Sequence, residues 1–260
     1  MSDQMIQFFT SAFYFSGLGA TSILIAIAIG LAFGAAWLIW YRPPLITRPG
    51  LWGVAAASAI LTWSAIAFVQ IPLQLWTGEA LLHFWDQNTL TTWLLLAGIP
   101  QVLLSGLVQE AAKLVPVVVY WWRSHRDFTP KFGLIAGAVS GAGFGVFEAV
   151  WVHNTIFASG WSTATIDMYG VLAFLGFIER FFAVGFHIAA SALVGYGLAK
   201  RMTWQFYVIA ALLHGATNYS VILLQKGLLT SVQVEIYVAI LAVAITAVVL
   251  RLRRRAGAVD

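Results

Sequence analysis

Stretches of about twenty apolar residues recur along this chain, each long enough to cross the ~30 Å hydrocarbon core of a bilayer as a helix. They run near 18–41, 51–75, 133–157, 169–199, 203–223 and 232–250. A further apolar region, 90–122, would reach about 50 Å as one straight helix, too long for a single crossing. Pro100 is expected to break it, leaving an interfacial piece before a span from about 100 to 122. The reading is an all-α, polytopic transmembrane bundle of about seven spans. Composition agrees: 61% of residues are hydrophobic and 9% charged, against roughly 25% charged in soluble domains. The spans leave no room for a soluble domain of ordinary size, so residues 1–260 are expected to form one integral membrane domain, with a catalytic-like core about 100–223.

Twelve Trp and eighteen Phe suit aromatic belts and lipid-facing rings. The absence of Cys rules out disulfides, thiolate nucleophiles and Cys-based zinc sites. Residues Met1 to Gly17 carry Asp3 and no Lys or Arg, the wrong flank for a secretory signal, so the first span is expected to be retained. The net charge of +4 does not point to nucleic acid, because the basic residues cluster in short loops. Arg42 with Arg48, Arg123 with Arg126 and Lys131, Lys200 with Arg201, and Arg251 to Arg255 fall on one side if the chain crosses seven times. Glu79, Asp86 and Asp167 occupy the opposite loops. The positive-inside rule then places the N-terminus outside and the C-terminus in the cytoplasm. A prokaryotic plasma membrane is the expected location.

An ionisable residue at mid-bilayer costs ~2.5 kcal/mol or more on insertion scales, so each one needs a reason. Glu110 stands thirteen residues before Arg123, His187 thirteen before Lys200, and His214 thirteen after Arg201. At 1.5 Å per residue all three lie ~20 Å from the same boundary. Glu148 and Asn218 lie about one turn further out, so five polar groups from four helices share a layer. Bland readings exist for each. Glu110 and Lys113 are three apart and can neutralise each other, and a His in a span is often a helix–helix hydrogen-bonding residue. Arg180 shares a face with His187, but an ion pair with Glu179 is its default. Neither accounts for the common depth. Gly133, Gly137, Gly141 and Gly145 form a four-residue repeat that lets helix backbones approach closely and would press Glu148 against a neighbour.

Such a layer can run peptide hydrolysis, which needs an activated water, a proton donor for the leaving amine and donors to the oxyanion. Glu148 or Glu110 would be the base, His187 and His214 would move protons, and Asn218 would serve the oxyanion. GxSxG and HExxH are both absent. Zinc held by Glu148, His187 and His214 is an alternative, as is a proton relay in a transporter.

The order of these motifs resembles the glutamic-type intramembrane proteases. Gln109-Glu110-Ala111-Ala112-Lys113 resembles their EExxK/R box, and Phe144 to Glu148 is similar to the FxxxE box of the PrsW type. His214 to Asn218 is similar to the HxxxN box of CAAX prenyl endopeptidases, and Glu179 to His187 resembles the ER-x6-H segment of the YhfC group. The resemblance covers about 105–220. It implies a metal-independent endopeptidase acting on membrane-associated peptides or proteins, in which a glutamate activates water and His and Asn stabilise the tetrahedral intermediate. Catalytic roles then fall to Glu110, Glu148, His187, His214 and Asn218, with Gln109, Lys113 and Arg180 in support and no cofactor. One position departs: Gln109 stands where the first Glu of the doublet is expected, and an amide cannot act as a base. Either Glu148 with Glu110 carries the reaction, or the chain is a catalytically silent scaffold or substrate-binding relative.

Overall fold

A computed structural model describes residues 18–256; the reading of Met1 to Gly17 lies outside them. Seven helical segments are long and apolar enough to span a bilayer, and among the described residues there is no β-strand. The first, α1, covers Ala20–Leu38. The second is longer than its apolar run: α2 (Gly50–Ala65) passes through one π-helical turn, Ile66–Gln70, into α3 (Ile71–Phe84). A π turn inserts one extra residue and rotates everything after it; here it leaves Gln70 buried.

The 90–122 region resolves as its length demands. Two short helices, α4 (Gln87–Thr92) and α5 (Leu94–Ala97), precede the spanning helix α6 (Ile99–Arg123). Asp86 starts α4 by accepting the Thr89 N–H at 2.7 Å. Pro100 stands in the first turn of α6, where its missing N–H costs nothing, so it marks a beginning rather than an interior break. Next come α7 (Pro130–Ala158), capped by Thr129 with Pro130 behind it, then the short α8 (Thr163–Tyr169) and a 3-10 turn, Gly170–Phe174. The bundle closes with α9 (Leu175–Ala199), α10 (Thr203–Gln225) and α11 (Ser231–Ala256).

The central helix is α7, packed on α9, α2 and α1, while α6 leans on α10 and α2 and α11 covers α9. Lipid tails are as apolar as leucine, so these contacts depend on close packing rather than on escape from water. The glycine repeat supplies it. A Cβ on Gly137 would strike the Ser191 carbonyl, and one on Gly141 the His187 carbonyl, both on α9. On the other side of α7, Gly143 lies against the Ala55 carbonyl of α2. The repeat thus brings the α7 backbone down onto the turn of α9 that carries His187.

Candidate active site

Helix α6 buries a stripe that includes Ser105, Gly106, Gln109, Glu110, Lys113, Pro116 and Val117, the three-and-four spacing of a helix with one inward face. Its polar members are therefore committed to the protein interior. Glu110 and Lys113 are each 1% exposed. The Lys113 ammonium donates to Glu110 Oε1 and, at 3.0 Å, to His187 Nδ1 on α9. On the far side of the His187 ring, Nε2 lies 2.9 Å from Glu148 Oε2 on α7. An ammonium offers only donors, so Nδ1 of His187 is the acceptor and Nε2 carries the proton toward Glu148. Glu110 Oε1 also meets His214 Nδ1 of α10 at 2.8 Å. A carboxylate only accepts; Nδ1 of His214 is therefore the protonated nitrogen, and Nε2 keeps its lone pair.

Two carboxylate–imidazole pairs result, Glu110 with His214 and Glu148 with His187, and Lys113 joins them. The imidazole centroids are 5.3 Å apart, with Phe144 and Phe186 packed around the rings. Ser140 Oγ donates to the Lys113 carbonyl at 2.5 Å, tying α7 to α6 beside the pair. Beyond Glu148 the network continues to Arg180, whose guanidinium donates to Glu148 Oε2 at 3.0 Å and to both oxygens of Glu179. The Arg180–Glu179 pairing expected from their adjacency is present, but it is also the outer anchor of Glu148. Burial differs between the two acids: the Glu110 side chain is fully enclosed, whereas those of Glu148 and Arg180 are each 17% exposed.

Two expected residues sit elsewhere. Asn218 donates to Ser105 Oγ at 2.7 Å, one turn from His214 and off the carboxylate–imidazole network. The spacing of His214 and Asn218 set a shared face, but Ser105 on α6 captures the amide first. Gln109 donates to Gln70 Oε1 at 3.0 Å and to Ser105 Oγ at 3.4 Å. It belongs to an amide chain that continues from Gln70 to Gln74. Neither Gln70, brought in by the π turn, nor Ser105 and Ser140 were legible as site residues. The one available signal was Ser105 standing four residues, one turn, before Gln109.

Could the cluster hold a metal? Glu110, His187 and His214 each offer a ligand atom, and these lie within 4.8 Å of one another. A carboxylate with two imidazoles suits zinc. The converging acid is Glu110, not the Glu148 of the expected set, because Glu148 lies across the His187 ring and is held by Arg180. As folded, however, Lys113 hydrogen-bonds two of the three ligand residues, Glu110 and His187. The cation among these donors is an ammonium, and a zinc ion would have to displace it. The three donors fit a zinc ion in kind and spacing, and binding one there would require the Lys113 side chain to withdraw.

The site thus pairs each of two carboxylates with an imidazole of fixed tautomer, beside a guanidinium, inside a bundle of helices long and apolar enough to span a membrane. No curated protein and no solved structure matches the chain. The family model described as PrsW family intramembrane metalloprotease matches residues 49–249, most of the chain, and the protein belongs to that family of intramembrane proteases.

Proposed function

We propose that the protein hydrolyses peptide bonds of membrane-associated proteins or peptides with a glutamate-activated water and no metal, from the single membrane domain whose core is 100–223. Glu148 is the base: of the two acids it is the less enclosed, and His187 and Arg180 hold its Oε2. Attack on the scissile carbonyl transfers the water proton to Glu148. The oxyanion takes up the second N–H of Asn218, whose first is on Ser105. His214, its Nδ1 pinned by Glu110, takes that proton from Glu148 on Nε2 and delivers it to the leaving amine, which returns Glu148 to its carboxylate. Lys113 donates to Glu110 and holds His187 in its Nε2–H tautomer. The observation that carries this reading is the Lys113 ammonium placed between the two carboxylate–imidazole pairs, where a metal enzyme would hold its ion.

The test is a purified sample in lipid vesicles, given a library of membrane proteins and peptides with and without chelator, with cleavage read by mass spectrometry. Chelator-resistant cleavage is expected, and Glu148→Gln should lower it by about 10²- to 10⁴-fold, the usual worth of a general base. Undiminished cleavage by Glu148→Gln would remove the base from Glu148. A second reading, zinc on Glu110, His187 and His214, is favoured by their convergence and by the family's description. Chelator-sensitive cleavage with stoichiometric zinc would select it.

A further inference from the structure

Far from the catalytic layer, the C-terminal ends of α1 and α11 border a groove of about 510 Å³. Half of its lining is apolar, Ile39, Trp40 and Leu250, and the other half is Arg42, Arg253 and Arg254. Ile39 and Trp40 are 67% and 60% exposed, large apolar groups with nothing over them among the described residues. Among those residues no carboxylate comes within ion-pair distance of the three guanidiniums. Arg253 Nε is in addition buried without a hydrogen-bond partner. Arg42 is held at φ 45°, a left-handed conformation unusual for a residue with a side chain.

Three cations in one groove repel each other unless an anion lies between them. The groove also sits where two apolar spans end, and Trp and Arg are the side chains suited to the boundary between lipid and water. Its two halves match one molecule: a phosphate for the arginines, and a glycerol with its first acyl methylenes for Ile39, Trp40 and Leu250. We propose that this groove is a specific site for an anionic phospholipid on the basic face of the protein. The site is independent of the protease mechanism. It differs from a diffuse positive surface in that the charge at Arg42 and Arg253 counts while equal charge elsewhere on the same face does not.

The experiment reconstitutes the protein in nanodiscs of equal parts phosphatidylcholine and phosphatidylglycerol, extracts it in mild detergent and identifies retained lipid by native mass spectrometry. Wild type should keep phosphatidylglycerol in preference to phosphatidylcholine. Arg42→Gln and Arg253→Gln should each lower that retention about fivefold, the worth of one basic residue at a membrane surface. The pair Lys200→Gln with Arg201→Gln should leave it unchanged. Equal retention of both lipids by wild type overturns the proposal, as does an equal loss in the Lys200/Arg201 control. Delipidated protein given inorganic phosphate supplies the last arm. A phosphate adduct without any phosphatidylglycerol preference would reassign the groove to free phosphate.

Discussion

Lys113 is an ammonium sealed in a membrane protein, and its position is tolerable only because Glu110 and His187 accept its hydrogen bonds. Removing one member of a buried pair typically costs 3–5 kcal/mol, because the partner charge remains without solvent. Lys113→Met should therefore lower stability by about that amount in thermal unfolding in detergent. Adding Glu110→Gln should return much of it, since the stranded charge goes too; a single variant that melts like wild type would mean the pair is not buried. Gln109 allows a sharper statement. Its amide donates to Gln70 and Ser105, away from the carboxylate–imidazole pairs, so on the proposed mechanism a glutamate is not needed there. Gln109→Glu should give no gain in cleavage rate. It should also cost about 1–3 kcal/mol, the price of an unmet buried acceptor, as a carboxylate would face the Gln70 carbonyl. A large gain in cleavage would show instead that this position limits catalysis.

Among the elements, α7 and α9 decide the site, because their backbones touch at the turn that carries His187. The Cβ of any other residue at Gly141 would meet the His187 carbonyl and the Ile188 Cα, neither of which can swing aside as a side chain would. Gly141→Leu should cost about 1–3 kcal/mol or more by overpacking. Cleavage should fall further than the folded fraction does, since shifts near 1 Å at a catalytic group can cost ~100-fold in rate. Gly53 on α2 has open space around it, so Gly53→Ala should alter neither quantity. Rates corrected for folded protein by size-exclusion recovery separate the two. If both glycines respond alike, backbone approach at Gly141 is not what positions His187.

For the whole molecule, the missing cysteines are an experimental convenience: any single introduced thiol is the only one present. If the N-terminus lies outside, as the basic loops imply, Arg126→Cys and Arg201→Cys should react with an impermeant maleimide only after the membrane is opened, and Asp167→Cys in intact cells. The reverse pattern would invert the orientation. Spans were readable from the chain alone, because crossing a bilayer demands apolar runs of set length, and a shared layer was expected because each helical residue advances a constant 1.5 Å. That is why Glu110, Glu148, His187 and His214 could be assigned to one layer before any contact was known. Their partners could not be read in the same way. Which acid meets which imidazole depends on the rotation and neighbours of each helix, and these follow from where glycines allow backbones to close. Tertiary packing alone therefore joined Glu110 to His214 and Glu148 to His187, placed Lys113 between them, and gave Asn218 the Ser105 hydroxyl as a partner. It also brought Gln70 to Gln109 through a π turn that no periodicity announces. The sequence by itself determined a seven-span helical protein with a polar layer at one depth; the lateral fit of its helices decided which of those polar groups make the site.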